Sequence, residues 1–255
     1  MMNVLDRFRL DGRVAVVTGA SSGLGAGFAV ALAQAGADLV LAARRVDKLA
    51  GTARAVEGAG RRSLIVPTDV SDPEQCVALT RAAMGEFGRI DVLVNNAGLG
   101  TAVPAVHEKP EQFRRVLDVN LMGAYWMAQA CARLMLPGSS IVNVASTLAL
   151  IAPPAPQAAY AASKAGLVGL TRDLSAQWAG RRGIRVNAVA PGYVATEMTE
   201  DVPREMLDGF IGSRSPLNRM GEQEELDAAV VFLASPASSY ITGSTLAVDG
   251  GMSGH

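Results

Sequence analysis

The sequence predicts an α/β fold, a doubly wound parallel seven-stranded sheet with helices on both faces. Three observations lead there. Short, nearly continuous apolar runs alternate with segments of helix length, the pattern of strands buried on both faces. The first of these runs passes directly into a glycine-rich turn that opens a helix. No linker, repeat or low-complexity stretch breaks the alternation, so residues 1–255 read as one domain.

Taken in order, Val14-Ala-Val-Val-Thr18 reads as a buried strand, followed by the glycine turn and a helix to about Gln34. Leu39-Val-Leu-Ala-Ala43 is the second strand, and residues 49–56 lie in the second helix. Leu64-Ile-Val66 is the third strand; Asp72-Pro73 then opens a helix through Phe87. Asp91-Val-Leu-Val-Asn95 is the fourth strand, and a longer helical region from Pro110 to Leu136 is broken near Asp118. Residues 140–145 form the fifth strand, 158–178 a helix and 184–189 the sixth strand. An irregular segment holding Pro191, Pro203 and Pro216 precedes a helix over 222–233, and Leu246-Ala-Val248 closes as the seventh strand.

Composition excludes several classes. A formal net charge of −1 gives no electrostatic footprint for nucleic acid or an anionic membrane. With only His107 and His255 available, a histidine-based metal site or hydrolase triad is hard to build, and no metal is expected. Cys76 and Cys131 lie in helix-like segments without paired spacing and read as buried thiols in a reducing compartment. The N-terminal stretch holds no apolar run of signal or transmembrane length. A cytoplasmic protein is expected.

Two stretches carry chemistry. In Thr18-Gly19-Ala-Ser-Ser-Gly23-Leu-Gly25, glycines permit a tight turn and let the backbone approach a pyrophosphate at the helix N-terminus. At the end of the second strand, Ala43 stands where a carboxylate would meet a ribose 2′-hydroxyl, and Arg44-Arg45 follows. A guanidinium there suits a 2′-phosphate; Arg44 is expected to hold it, with donors from Ser21 and Ser22, while Arg45 turns to solvent. Asp47 is expected in the first turn of the next helix, where it suits the dipole. Further along, Tyr160-Ala-Ala-Ser-Lys164 places a phenol and an ammonium on one helix face. Only three of the 23 basic residues are lysines. A nearby ammonium favours the phenolate, drawing the phenol toward a working pH as a general acid or base.

Together these residues resemble the short-chain dehydrogenases/reductases, in the branch of single-domain chains of roughly 250 residues with a Rossmann-type sheet. The resemblance runs from Leu10-Asp-Gly12 to Val248-Asp-Gly-Gly251 and rests on Thr18–Gly25, Asp69-Val70, Asn95-Asn-Ala-Gly98, Asn120, Ser146, Tyr160–Lys164 and Pro191-Gly192, in that order. One departure is a spacing of fourteen residues from Ser146 to Tyr160, one more than is commonest, with Pro153-Pro-Ala-Pro156 between them.

The resemblance implies roles. Tyr160 exchanges a proton with the substrate oxygen, Ser146 hydrogen-bonds that oxygen, and Lys164 holds the nicotinamide ribose and lowers the Tyr160 pKa. Asn120 is similar to a helix-break asparagine that positions a water behind Lys164. Asp69 and Val70 meet the adenine. Asn96, Ala97 and Gly98, beside Asn95, wall the adenine ribose. Gly19, Gly23, Leu24 and Gly25 line the pyrophosphate, while Pro191, Gly192, Val194 and Thr196 face the nicotinamide. The expected activity is NADP(H)-dependent interconversion of a ketone and a secondary alcohol. The alternatives are an NAD-dependent polyol, sugar or hydroxysteroid dehydrogenase and, in another class, a catalytically silent nucleotide-binding sensor or scaffold.

The substrate pocket is expected from residues 99–103, 147–157 and 193–211, mostly small or apolar, which suits a medium-sized ketone. Gln157 fits the 3-oxoacyl-acyl-carrier-protein reductases, which this chain resembles. Arg181-Arg182 would serve an acidic carrier partner, but Leu136-Pro-Gly138 lacks the basic residues those enzymes carry there. Residues 111–136 and 158–178 hold Trp126, Met127, Cys131, Leu167, Leu170 and Trp178, more apolar surface than one sheet face needs. Related enzymes pair these helices across a twofold axis, so a homotetramer is expected.

Overall fold

Alternating side chains along each strand divide the apolar core into two layers. In β1 (Val14–Thr18) all five residues are buried. Ala15 and Val17 point to the layer that holds Phe28, Leu49 and Val230, whereas Val14 and Val16 point to the layer of Leu79, Met127 and Leu174. Period-two alternation in a strand buried on both faces produces this. The structure, a computed structural model, describes residues 3–152, 155–195 and 204–254.

Seven strands among the described residues form one sheet in the order β3-β2-β1-β4-β5-β6-β7, and every pairing is parallel. The others are β2 (Asp38–Ala43), β3 (Ser63–Pro67), β4 (Val92–Asn95), β5 (Ser140–Val144), β6 (Arg185–Pro191) and β7 (Thr245–Val248). Strand order reverses between β1 and β4, the switch point where such sheets place ligands. α1 (Gly23–Gln34), α2 (Val46–Gly58) and α8 (Gln223–Ala234) cover one face; α3 (Pro73–Phe87), α5 (Gly123–Ala132) and α6 (Ala158–Arg182) cover the other. α4 (Pro110–Leu117) lies outside α6, and α7 (Arg204–Arg214) packs apart from the sheet.

Most expected elements form, with local departures. Asp72 caps α3 by accepting from the Glu74 and Gln75 N–H groups ahead of Pro73. Asp47 sits in the first turn of α2. Asp91 is not a strand residue: its buried carboxylate is held by Arg13, Arg89 and the Val14 N–H, which pins the N-terminal ends of β1 and β4. The break near Asp118 is a π-helical turn over Asp118–Met122. α6 runs to Arg182, past Trp178, and ends at Gly183 in the left-handed region with φ +66°.

The segment read as irregular contains α7. Gly209 and Gly212 dilute its helix propensity, while Leu207 and Ile211, one turn apart, are buried against Met252 from the C-terminal end. A contact distant in sequence supports that helix. The apolar surplus expected on α5 and α6 is also revised: Met127, Cys131 and Leu167 are fully buried within the chain, and Trp126, Leu170 and Trp178 pack partly buried against the core. Among the described residues no helix is long and apolar enough to cross a membrane, and no group of three or more metal-ligating side chains occurs.

Candidate active site

A cleft of about 670 Å³ opens at the C-terminal ends of β1, β2, β4, β5 and β6. One end is the glycine turn. Gly19 adopts φ +67°, and a Cβ there would lie 2.8 Å from Asn96 Nδ2 and 2.9 Å from Ala97 Cα. A Cβ on Gly25 would overlap the Gly19 carbonyl oxygen. The turn thus lies flat against residues 96–97 and is stitched to them: Asn96 Nδ2 donates to Thr18 O at 3.0 Å and Gly19 O at 3.3 Å, and Thr18 Oγ1 accepts from the Asn96 and Ala97 N–H groups at 3.0 Å each. Ser22, at the N-cap of α1, makes no side-chain cap bond. Helix N–H groups and the positive dipole end therefore face the cleft, with no Cβ on Gly23 or Gly25, which fits a pyrophosphate.

At the end of β2, Ala43 is buried and offers no carboxylate. The two arginines that follow both line the cleft. Arg45 is exposed as expected but also folds back on the glycine turn, its Nη2 donating to Ser22 Oγ at 2.7 Å and Ser21 Oγ at 3.3 Å. Arg44 leans the other way, Nη1 lying 3.9 Å from Asp69 Oδ2. Asp69 also accepts from Ser71 Oγ at 2.7 Å and Ser71 N at 3.0 Å. The Ser71 hydroxyl foremost, with Arg44 adding a smaller share, holds that carboxyl below its ordinary range. Hence Ser21 and Ser22 sit beneath a guanidinium, and two arginines rather than one flank this corner.

On the opposite wall α6 carries Tyr160 and Lys164 one turn apart. Lys164 is buried, and its Nζ donates to Val144 O at 2.7 Å while lying 5.7 Å from the Tyr160 ring centroid. Burial pulls its ammonium down to about 8. Tyr160 is half-buried; desolvation raises its phenol above the ordinary value, and a hydrogen bond with Ser146 acts in the opposite sense. The expected lowering by Lys164 is therefore not what the geometry produces. The ammonium is directed at a backbone carbonyl and is itself desolvated, so it does not outweigh the burial of the phenol.

Ser146 follows β5 and caps the short 3-10 turn Thr147–Ala149, its Oγ accepting from Leu148 N at 3.1 Å. Asn120 lies in the π-helical turn, fully buried. Its Oδ1 accepts from Leu99 N at 2.8 Å, and its Nδ2 donates to Leu99 O at 2.9 Å and Ser163 Oγ at 3.0 Å. Ser163 Oγ in turn donates to Tyr160 O at 2.7 Å. Asn120 thereby ties the loop after β4 to the helix that carries the tyrosine; widened turns of this kind recur at functional sites.

The cleft is closed by the turn after β6. Gly192 N donates to Val248 O at 2.9 Å, and a Cβ on Gly192 would lie 2.8 Å from Asp249 Cα. Val194 lines the cleft and bridges to Gly221. Thr196, Pro153 and Pro154 lie outside the described residues. One bracing residue escaped the sequence reading. Asp249 Oδ2 accepts from Thr147 Oγ1 at 3.0 Å and Ser253 N at 2.9 Å, bracing the turn after Ser146; its only local signal is the Asp-Gly-Gly turn. Tyr193, at the start of the segment expected to line the substrate pocket, lines the cleft next to Gly192.

A parallel sheet with an anion-binding glycine turn at one end of the cleft and a serine–tyrosine–lysine group at the other defines a dinucleotide-dependent oxidoreductase. The chain belongs to the short-chain dehydrogenase/reductase family, and acts on alcohol and carbonyl groups. A family model described as enoyl-(acyl carrier protein) reductase matches residues 19–253. An uncharacterized short-chain type dehydrogenase/reductase of Sinorhizobium fredii is 46% identical over 249 residues, 96% of this chain and 44% of the relative; this chain thus spans less than half of that longer protein. A 3-oxoacyl-[acyl-carrier-protein] reductase of Thermotoga maritima is 39% identical over 246 residues, 96% of this chain and 99% of the relative. The crystal structure of a gluconate 5-dehydrogenase from Burkholderia cenocepacia in complex with NADP and tartrate superposes with a TM-score of 0.92 at 36% identity, covering 99% of this chain and 100% of that one.

Proposed function

We propose that this chain is an NADP(H)-dependent oxidoreductase that interconverts a ketone and a secondary alcohol, with Tyr160 as general acid and base. The observation that carries this reading is the convergence of Ser146, Tyr160 and Lys164 on one wall of a cleft whose far end is the glycine turn. The glycines packed without room for a Cβ fit a dinucleotide: residues 19–25 would hold its pyrophosphate, Asp69 and Val70 its adenine, Asn96 to Gly98 and Lys164 its two riboses, and Pro191, Gly192 and Val194 its nicotinamide. When bound, the nicotinamide supplies or accepts the hydride.

This chain's own residues handle the oxygen. In reduction Tyr160 delivers its proton to the carbonyl oxygen as that oxygen gains charge, and Ser146 hydrogen-bonds the same atom. Burial keeps the Tyr160 phenol protonated, which suits the donor role. Lys164 holds the site's positive charge, and Asn120 positions the helix that presents the tyrosine. NADP(H) is favoured because Ala43 offers no carboxylate to repel a 2′-phosphate and Arg44 and Arg45 flank the place where it would sit. The presence of all four of Asn120, Ser146, Tyr160 and Lys164 favours an enzyme over a silent binding protein. The Thermotoga relative keeps 3-oxoacyl thioesters among the substrates to test, and the Burkholderia structure keeps sugar acids such as gluconate there. Residues 1–255 would act as a single domain, in the cytoplasm, where the buried Cys76 and Cys131 stay reduced.

The test is Tyr160→Phe, assayed by NADPH consumption against a ketone panel that includes a 3-oxoacyl thioester. Turnover should fall about 10²-fold or more with cofactor affinity little changed. A variant that keeps near-wild-type turnover on a good substrate refutes the assignment.

A further inference from the structure

The turn that presents Ser146 is too short to hold itself. Thr147–Ala149 is a three-residue 3-10 helix, and such a run has poor hydrogen-bond geometry. Leu148 and Ala149 carry no polar side chain. The polar tie from these three side chains is therefore the Thr147 hydroxyl, which donates to Asp249 Oδ2 at 3.0 Å from a buried position. Asp249 is itself firmly set. Its Oδ2 also accepts from Ser253 N at 2.9 Å, and its Oδ1 accepts from Gly251 N at 3.0 Å. The next carbonyl, Gly250 O, accepts from Ser215 Oγ at 3.1 Å and Leu217 N at 3.2 Å, which fastens the C-terminal turn to the segment after α7. Asp249 also backs the turn after β6, where a Cβ on Gly192 would lie 2.8 Å from Asp249 Cα. Burial pushes the Asp249 carboxyl up, but hydrogen bonds from Ser253, Thr147 and Gly251 outweigh it and hold the group below its ordinary range. The acceptor facing Thr147 thus stays charged, which strengthens the bond.

We infer that Asp249 is a positioning residue: through the Thr147 hydroxyl it fixes the turn that aims Ser146 Oγ. The C-terminal Asp-Gly-Gly turn, beyond the last strand, thereby governs how well the serine meets the reacting oxygen. The inference rests on the reading of Ser146 as the hydrogen-bond donor to that oxygen. Such a donor works only in the right geometry, and a misplacement of about 1 Å can cost on the order of 10²-fold.

The experiment is a mutant cycle, read as NADPH consumption with the ketone that wild type turns over fastest. Ser146→Ala should lower kcat about 10²-fold. Thr147→Val keeps the shape of the side chain and deletes the hydroxyl. It should lower kcat about tenfold and leave the KM for NADPH unchanged, whereas Thr147→Ser should keep the wild-type kcat. In the Ser146→Ala background Thr147→Val should cost less than about twofold, because the group it aims is gone. Asp249→Ala should cost at least as much as Thr147→Val, and combining the two should add nothing to it. A brace that served packing alone would cost the same with or without the serine. A Thr147→Val loss that persists undiminished in the Ser146→Ala background therefore overturns the inference. So does wild-type kcat in Thr147→Val or Asp249→Ala beside a defective Ser146→Ala. Wild-type kcat in Ser146→Ala instead removes the role of the serine, and the inference falls with it.

Discussion

Replacing Arg45 by alanine removes the guanidinium that lies across Ser21 and Ser22, 2.7 Å from the Ser22 hydroxyl and 3.3 Å from that of Ser21. A charged hydrogen bond to a phosphate contributes about 1.5–3 kcal/mol, or roughly 10- to 100-fold in affinity. Arg44 should matter less. Both arginines are exposed, but Arg44 shares its charge with Asp69 at 3.9 Å, which leaves less of it for a phosphate, about 1 kcal/mol or less, near fivefold. Dissociation constants for NADPH and NADH, titrated by fluorescence on wild type, Arg44→Ala and Arg45→Ala, test this. NADPH should bind wild type more tightly than NADH, Arg45→Ala should remove most of that difference by weakening NADPH alone, and Arg44→Ala should remove a smaller part. Equal affinities in wild type would sink the cofactor assignment. An Arg45→Ala variant that weakens both cofactors alike would show that the residue only braces the glycine turn.

Two further outcomes follow from burial. Lys164 is drawn down to about 8 in the folded chain from 10.5, so between those pH values the unfolded chain holds a proton that the folded chain has released, and stability rises with pH across that window. Relative to Lys164→Met, wild type should gain roughly 2–3 kcal/mol of unfolding free energy between pH 8 and 10 in urea titrations; no gain would mean that the Val144 carbonyl keeps the amine charged. Light scattering at micromolar concentration should return a tetramer, since Met122 on the outer helical face and Leu246 on edge strand β7 remain exposed although much of the expected surplus is buried inside the chain; a monomer mass would refute the assembly.

The architecture was legible because its causes are local. Runs such as Val14–Thr18 and Leu39–Ala43 can be satisfied only between two helical layers, and the Thr18–Gly25 spacing specifies a turn that no other residue type would tolerate. Asn120, Ser146, Tyr160 and Lys164 were found by type and spacing; the fold brings the last three to one cleft and buries Asn120 behind it. α7 escaped because its support, Met252, is more than forty positions away in the chain. Asp249 escaped for the same reason, since it braces Thr147 across the sheet edge.

By itself, then, the order of residues determined which strands form, where the anion-binding turn lies and which side chains are available to move a proton, because periodicity and glycine placement act over a few residues. Only the tertiary structure decided what each polar group is paired with. It turned Arg45 onto Ser21 and Ser22 and Arg44 toward Asp69, directed the Lys164 ammonium to the Val144 carbonyl, and raised the Tyr160 phenol where proximity to a lysine had pointed the other way. Ionisation and hydrogen bonding depend on how completely water is excluded and on which partners arrive from distant strands, and neither is written in the spacing of neighbours.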